Sequence, residues 1–332
     1  MKLFSVLMLI LFSIPAMAQP ASVPAGYKYE VKLTSENDNY AFTYKDGYYT
    51  NGIFLQLNYV PARAEQYLKL HSKLGKLNTY YMLGQMIYNA ETWRKQTPPD
   101  IDRPYAGYLF ARKGFVLHYK NQSVMDFSVS AGTTGPASGA RQVQKFYHSI
   151  FHLPRIRAWE YQLNGEPALN FRWVYHQNML RTDQANPFTQ LHATLELNAG
   201  NVFTNASGGL LLKAGKLQKP QASTFYQSGT GNNDAAGNKK RQGELFVFFH
   251  PQLMTQIYNA TIQGPLFKKD KGPITGKPVN LYYFHQFGLY FVHHRIAAAV
   301  VMTYKNREAE AMRIKERYGG LMLAYRFGVQ SK

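Results

Sequence analysis

The sequence contains no cysteine, so no disulfide framework can hold the 332-residue chain together. After Gln19 it also lacks any uninterrupted apolar stretch of the roughly 20 residues that a membrane-spanning helix needs. If this part of the chain crosses a membrane, it must do so as a closed β-barrel, in which neighbouring strands pair every backbone group. Gly-x-Ser-x-Gly, His-Glu-x-x-His and phosphate-loop motifs are absent as well, which leaves the common serine, zinc and nucleotide chemistries without support.

The N-terminus has the pattern of an export signal. Lys2 precedes an apolar run that ends at Ile14, and Ala16-Met17-Ala18 has the small-x-small form of a cleavage site. An uncleaved interfacial anchor is the alternative, but the run is too short to cross hydrocarbon as a helix. We therefore predict a signal peptide over 1–18 and a single barrel domain over 19–332.

Acidic residues are scarce, since 19 Asp and Glu stand against 38 Lys and Arg, for a net charge of +19. A surplus of this size favours an anionic partner. Because the N-terminus indicates export, we expect no nucleic-acid partner and favour an anionic surface such as phosphorylated lipid.

Apolar residues are abundant but dispersed: they make up 45% of the chain, while its mean hydropathy is −0.35. In 125–132, for example, Met125, Phe127, Val129 and Ala131 alternate with polar or small residues, which is typical of a strand with one apolar face. With weaker stretches included, the pattern predicts twelve strands, over 28–34, 53–59, 80–88, 107–119, 125–132, 168–176, 191–198, 208–217, 243–258, 282–293, 296–305 and 318–327.

These strands suit two architectures. A soluble β-sandwich alternates in the same way, but the many Tyr and Phe at strand ends are more typical of membrane girdles. An even number of strands is also what bacterial barrels require. We therefore predict an all-β fold, a transmembrane antiparallel β-barrel of about 12 strands with short helices in its loops.

Three segments do not follow the strand pattern. The spacing of apolar residues predicts helix within 61–79 and over Gly139 to Phe151, and the Gly, Asn, Ser and Lys content of 218–242 predicts a mobile loop. In an antiparallel barrel the connections 35–48, 89–106 and 134–166 all lie at one rim. We expect this rim to be extracellular because long loops usually face outward. By the same count 218–242 would be a periplasmic turn of unusual length.

The segment 139–151 contains a candidate base. Gln144 and His148 are four residues apart, so they share one face of the predicted helix. A histidine held there can take a proton from water or a hydroxyl group, and the amide can orient what it activates. From spacing alone, a surface histidine without a role is the more common explanation.

Other candidates lie in the first two loops. Asn37 and Asp38 offer the amide and carboxylate oxygens that Ca²⁺ prefers, although both residue types also favour ordinary turns. Thr50 lies either at the rim or simply at the start of the second strand. Lys95 and Arg103 could bind phosphate, or be two of many basic residues.

Taken in order, several short motifs resemble those of the lipid A 3′-O-deacylase family. Each motif is short, but their order and spacing together are specific over about 30–165. They are Ser35-Glu36-Asn37-Asp38, Asp46-Gly47-Tyr48-Tyr49-Thr50-Asn51-Gly52, Leu83-Gly84-Gln85-Met86-Ile87-Tyr88, Asp102-Arg103-Pro104-Tyr105-Ala106-Gly107, Gly135-Pro136, Gln144, His148 and Ala158-Trp159-Glu160-Tyr161-Gln162.

The resemblance implies a twelve-stranded outer-membrane barrel that removes the 3′-linked acyloxyacyl chain of lipid A in a Ca²⁺-dependent ester hydrolysis. It implies His148 as the base that activates water, with Gln144 supporting it. Asn37, Asp38 and Thr50 would form the catalytic neighbourhood, in which Asp38 and Thr50 bind Ca²⁺.

The resemblance also bears on partners. It implies lipid A or lipopolysaccharide as the partner and Lys95 as a substrate-binding residue. Arg103 lies in a motif to which the resemblance assigns no direct role, and it is a substrate-binding candidate because of its charge. We expect the barrel to act as a monomer in the outer membrane of a Gram-negative bacterium, with its active-site rim facing outward.

The chain departs from the family pattern at three places. No acidic residue lies between His148 and Trp159, where the family has a functional Glu, and the wrongly spaced Glu160 is the nearest substitute. Asp46-Gly47 lacks a basic residue, and 328–332 extend past the final aromatic. A non-catalytic barrel that binds lipopolysaccharide, or has a structural or transport role, therefore remains the alternative. An outer-membrane phospholipase is a third reading, but no Ser lies in a persuasive motif.

Overall fold

The computed structural model describes residues 26–41, 47–91, 97–150, 152, 156–180, 188–231 and 243–329. Within these residues, twelve antiparallel strands each pair with the next along the chain, and the first pairs with the last to close a barrel. The strands are β1 (Tyr27–Asn37), β2 (Tyr49–Tyr59), β3 (Leu74–Tyr88), β4 (Ala106–Tyr119), β5 (Val124–Thr134), β6 (Pro167–Asn178), β7 (Thr189–Gly200), β8 (Phe203–Lys216), β9 (Glu244–Asn259), β10 (Leu281–His293), β11 (Ile296–Lys305) and β12 (Glu316–Val329). The predicted fold and all twelve predicted strands are confirmed.

The helices lie in the connections. They are α1 (Ala64–Leu70), α2 (Ala140–Ile150) and the single turn α3 (Ala260–Gln263). The helix predicted over 139–151 is confirmed, whereas that within 61–79 ends at Leu70. Its second half was predicted wrongly, because Lys76 and Asn78 pair with His118 and Val116 in the extended β3. Among the described residues, no helix is long and apolar enough to cross a membrane.

The barrel wall has an apolar outer face and a polar inner face, the reverse of a soluble protein. Leu33, Leu55 and Leu83 are 45%, 48% and 60% exposed on the outside, while Glu30 and Asn58 are fully buried inside. This is the pattern of a wall that contacts hydrocarbon. The seam between β1 and β12 is closed by ten residue pairs, and Tyr29 stacks on Phe327 beside it.

Antiparallel order fixes which connections meet. Those after β1, β3, β5, β7, β9 and β11 lie at one end of the barrel, here called the site rim, and the others lie at the opposite rim. The prediction that the first three long connections share a rim is therefore confirmed. The site rim also receives 260–280 and 306–315, for which no role was predicted from the sequence.

The segment 217–231, here called the plug, follows β8 at the opposite rim and enters the barrel. Ser223, Thr224, Ser228 and Thr230 are fully buried in it. The prediction of a mobile loop over 218–242 is wrong for 218–231, and the remainder lies outside the described residues. The Ser, Thr and Gln side chains that suggest a loop instead satisfy the polar inner face of the barrel.

Ionic and polar contacts fasten the plug to the wall. Arg326 Nε donates to Glu30 Oε2 at 2.8 Å, and the Arg326 guanidinium also donates to the hydroxyl of Thr224 in the plug. Lys76 Nζ donates to the carbonyls of Gln221 and Ser228 at 2.9 and 3.0 Å. Because β1, β3 and β12 all take part, the plug ties together the strands around the closing seam.

Candidate functional site

Helix α2 lies against the outer wall of the barrel at the site rim, and a cleft separates it from β1 and β2. The cleft has a volume of about 190 Å³. Its lining includes Asn37 and Thr50 from the strand ends and Gln144 and His148 from α2. The structure therefore brings together four of the site residues predicted from the sequence.

Close packing at the N-terminus of α2 sets the position of the helix. Gln85 of β3 donates to the Ser138 carbonyl at 2.7 Å, just before the helix begins. A Cβ at Gly107 of β4 would collide with Ser138 Oγ and with Ala140 Cβ. Glycine at 107 is therefore required for the approach of helix to wall, and Gly139, at φ 69°, turns the chain into α2.

Helix α2 has a polar face that is buried and an apolar face that is exposed. Gln144 and His148, one turn apart, are 5% and 6% exposed and point toward the wall. Val143, Phe146 and Ile150 also line the cleft but remain 40%, 67% and 50% exposed. A soluble surface helix would bury such residues, so this exposed apolar stripe is suited to contact with lipid.

A buried tryptophan holds the Gln144 side chain. Trp159 lies in the 3₁₀ turn Ala158–Tyr161, and its Nε1 donates to Gln144 Oε1 at 2.7 Å. Tyr105 packs edge-on against the indole, with ring centroids 5.3 Å apart. The two rings belong to the apolar cluster beneath α2. Both residues belong to motifs of the sequence, but the motifs alone do not predict this contact.

At the end of β1 the chain makes a tight turn that is held by hydrogen bonds of the Asn37 and Asp38 side chains. Asn37 Nδ2 donates to the Thr50 carbonyl at 2.9 Å, and its Oδ1 accepts from the Asn39 amide at the same distance. Asp38 Oδ2 accepts from the Gly47 amide at 2.7 Å, although the carboxylate is only 2% exposed. Asn37 and Asp38 are thus held between the ends of β1 and β2.

The donors at this turn are chemically suited to Ca²⁺. They are carboxylate, amide, hydroxyl and carbonyl oxygens, the hard ligands that this ion takes in groups of six to eight. No group of three or more His, Cys, Asp or Glu side chains that could hold a metal occurs in the described part of the chain. Within the described residues, a site here would use Asp38 together with neutral oxygens such as those of Thr50.

Arg103 does not line this cleft. Its guanidinium is fully buried, donates to Glu308 Oε1 at 2.6 Å and to Thr261 Oγ1 at 2.9 Å, and lies 4.2 Å from the centre of the Tyr88 ring. Burial alone would raise the pKa of Glu308, but Lys305 and Arg103 outweigh it and hold that pKa at about 2. Arg103 therefore joins connections of the site rim to each other. Its buried position does not support the predicted contact with phosphate.

Asp102 joins the same connections. Its Oδ2 accepts from the Tyr48 hydroxyl at 2.6 Å, and its Oδ1 accepts from the Glu91 amide at 3.1 Å. The amide of Arg313 donates to the Tyr48 oxygen at 2.8 Å. Burial and Asp102 raise the pKa of Tyr48, which keeps its hydroxyl protonated. The compact motif Asp102-Arg103-Pro104-Tyr105 therefore organises the rim that carries the cleft.

Two further expectations concern residues away from the cleft. Lys95 lies outside the described residues, as does Asp46. Glu160 is exposed and is not part of the cleft lining, so the structure does not place it as a replacement for the acidic residue that the motif series lacks after His148.

The structure is similar to several outer-membrane barrels. LpxR from Salmonella typhimurium superposes with a TM-score of 0.71 at 15% identity, covering 90% of this chain and 100% of that one. The translocator domain of autotransporter NalP from Neisseria meningitidis gives a TM-score of 0.41 at 8% identity, covering 98% and 95%. No curated protein matches the chain in sequence.

The sequence itself identifies the family. The model for "Outer membrane protein LpxR" matches residues 3–327, which is nearly the whole chain. This match agrees with the motif series at 35–162 and with the twelve-stranded barrel, and it confirms the resemblance drawn from the motifs. The chain is therefore a member of the LpxR family of outer-membrane proteins.

Proposed function

We propose that the protein is a lipid A deacylase of the outer membrane that hydrolyses the 3′-linked acyloxyacyl ester. Family membership supports this substrate class. The observation that carries the proposal is the position of the cleft: it places His148, Gln144, Asn37 and Thr50 on the membrane-facing side of the wall, and not in the lumen.

The surroundings of the cleft suit a lipid ester. The apolar stripe of α2 forms one side, and Ile53, 47% exposed on the outer face of β2, forms another. Two residues along β2, Leu55 lines a second depression of about 580 Å³ on the same outer wall, together with Leu83 and Ala131. An acyl chain lying along this wall would bring its ester to the rim, while sugar and phosphate stay above it.

The reaction needs a base and a donor. His148 takes a proton from water as the water oxygen attacks the ester carbonyl carbon. The Nε2 group of Gln144 donates toward the negative charge that develops on the carbonyl oxygen. When the ester C–O bond breaks, the departing sugar oxygen receives the proton from His148, so the products are a fatty acid and a free hydroxyl group.

The Asn37–Asp38 turn is the proposed Ca²⁺ site. The carboxylate of Asp38 and the oxygens of Thr50 would hold the ion, and Asn37 fixes the turn through its bond to the Thr50 carbonyl. When bound, the ion would supply a Lewis acid that polarises the ester carbonyl. In this proposal His148 carries out the proton transfer and Asp38 binds the ion.

The other elements of the proposal concern binding and orientation. The net charge of +19 favours a phosphorylated disaccharide, with Lys95 as the candidate contact. We propose that a single barrel is active and that the site rim faces the cell exterior, where lipid A lies.

A labelling experiment tests the orientation. The chain has no cysteine, so one can be introduced at Phe267 of the site rim, 79% exposed, or at Leu70 of the opposite rim, 81% exposed. In intact cells, a membrane-impermeant maleimide is expected to label Phe267→Cys and to leave Leu70→Cys unlabelled. The reverse result would contradict the proposed orientation.

Mass spectrometry of lipid A tests the activity. Purified protein in detergent with Ca²⁺ is expected to release the 3′-linked acyloxyacyl group, and His148→Asn to lose this activity. His152→Asn is the matched control, because His152 is an exposed neighbour with φ 53°, a conformation that Asn tolerates. Unchanged lipid A with folded wild-type protein would favour a non-catalytic barrel that binds lipopolysaccharide, which the exposed position of Glu160 also favours.

A further inference from the structure

Trp159 is the largest fully buried side chain of the protein's described part, yet it lies directly behind the proposed site. It is 1% exposed and is not part of the cleft lining. Its only polar atom, Nε1, donates to Gln144 Oε1 at 2.7 Å. Tyr105, itself fully buried, packs edge-on against the ring and fixes its plane. The indole is therefore held in one orientation by the core.

The chemistry of the indole decides which end of the Gln144 amide faces the cleft. An indole N–H group can donate but cannot accept, whereas a glutamine amide has one accepting and one donating end. With Oε1 bound to Trp159, the amide must direct Nε2 away from the indole. The opposite orientation would place two donors against each other inside the protein.

The Nε2 group that results is buried and lies in a residue of the cleft lining. Gln144 is 5% exposed, and among the described residues its Nε2 has no hydrogen-bond partner, although the side chain lines the cleft beside His148. Leaving a buried donor without a partner is costly, and native proteins seldom do so without a reason. An oxygen of a bound ester would satisfy this donor.

We propose that Trp159 is a positioning residue that fixes the Gln144 amide, so that the cleft presents an N–H donor and not a carbonyl oxygen to the substrate. The inference rests on the proposed ester hydrolysis and adds a residue that does not touch the substrate. Because Trp159 acts only through Gln144, its removal lowers kcat and leaves KM nearly unchanged.

A double-mutant cycle in the lipid A assay tests this role. Trp159→Phe keeps a ring in the core but removes the N–H group, and is expected to lower kcat roughly ten- to hundredfold. In a Gln144→Ala background the same substitution should change kcat less than twofold. Gln144→Glu, which can still accept from Trp159 but presents an oxygen to the cleft, should be nearly as inactive as Gln144→Ala. Trp173→Phe, on the wall strand β6, is the matched control and is expected to leave kcat unchanged.

A packing role would give a different result: Trp159→Phe would then lower kcat by the same factor with and without Gln144. That outcome, or a Trp159→Phe variant as active as wild type, would overturn the inference while leaving the deacylase proposal intact.

A spectroscopic measurement separates the two proposals if wild-type protein does not cleave lipid A. The chain has three tryptophans, so ¹⁵N-tryptophan labelling gives three indole signals, and the Trp159→Phe spectrum identifies one. We expect that signal to move upfield and to exchange faster with solvent in Gln144→Ala. An unmoved signal would show that the hydrogen bond is absent and would refute the inference whatever the activity.

Discussion

The cleft beside α2 and the plugged lumen both bury polar groups, but Gln144 in the cleft and Glu30 in the lumen differ in their hydrogen bonding. In the lumen, Glu30 accepts from Arg326, Asn58 and Thr224 at once, so its charge is fully neutralised and bonded. In the cleft, the Gln144 amide has its oxygen bound to Trp159, while its nitrogen is buried without a hydrogen-bond partner among the described residues. The Glu30 network therefore stabilises the barrel, whereas the Gln144 amide keeps a donor for a bound ligand.

Polar residues inside the barrel and on its outer wall differ in what they indicate about function. An outer-membrane barrel is expected to carry ionic groups inside, and their number says little about chemistry. Polar side chains on the outer wall face hydrocarbon, where they are costly unless they serve a purpose. Asn37 and Thr50 lie at that outer edge, which makes them more informative than the larger clusters inside.

Substitution of Asp38 is expected to have the largest effect. Asp38→Asn keeps the shape of the turn and its bond to Gly47 but removes the carboxylate proposed to bind the ion, so turnover at a Ca²⁺ concentration that saturates wild type should fall roughly 100- to 1000-fold. Titration of activity with Ca²⁺ measures this. Activity independent of both Asp38 and Ca²⁺ would break the distinction between a binding cleft and a structural lumen.

A substitution in the lumen should lower the stability of the protein and leave its turnover nearly unchanged. Glu30→Ala leaves Arg326 buried without its carboxylate, which is expected to cost about 3–5 kcal/mol of unfolding free energy, while kcat of the folded protein stays within twofold. Urea titration in detergent, followed by the mobility shift of folded barrels on gels, gives the stability. A large loss of kcat in folded Glu30→Ala would show that the lumen takes part in the chemistry.

Close packing of α2 against the wall is expected to affect turnover at the site. Gly107→Ala introduces a methyl group where Ser138 and Ala140 leave no space, so the start of α2 must move away from the wall and turnover should fall about tenfold. Gly75→Ala, at the opposite rim, is the control, because a Cβ there finds only ordinary contacts at 3.6 Å or more. Equal activity of the two variants would show that the helix position is not critical.

The smallest expected effect concerns acid. The pKa of Glu308 is held at about 2, below its ordinary 4.5, so its contribution to stability is complete above about pH 4.5 and is lost as the pH falls toward 2. Glu308→Gln lacks this contribution at every pH. The difference in urea midpoint between wild type and Glu308→Gln should therefore narrow between pH 5 and pH 3. A constant difference would show that the Arg103 pair does not depend on this charge.

The sequence predicts the barrel well because alternation is a local property of each strand. All twelve strands follow from it, and the shared rim follows from their antiparallel order. Helix α2 is equally local, since Gln144 and His148 need only their spacing to share a face. The same reasoning failed at 74–79, where pairing with β4 outweighed helical spacing.

Contacts between distant segments could not be predicted. Nothing in Arg103 indicates that its partner is Glu308, about 200 residues away, and a Ser- and Gln-rich stretch has the same composition whether it folds into a lumen or stays in solvent. The hydrogen bond from Trp159 to Gln144 is of this kind. The motif at 158–162 signals that the segment matters, but only the structure shows the contact.

Chemical blocking of the outer-wall cleft tests most directly whether the reaction takes place there. Cysteine is introduced at Phe146 on the exposed face of α2 or at Phe267 elsewhere on the site rim, and each purified protein is modified with a bulky maleimide before the lipid A assay. We expect the Phe146→Cys adduct to lose turnover and the Phe267→Cys adduct to retain it. Full turnover by the Phe146→Cys adduct would place the chemistry away from the outer-wall cleft and contradict this account.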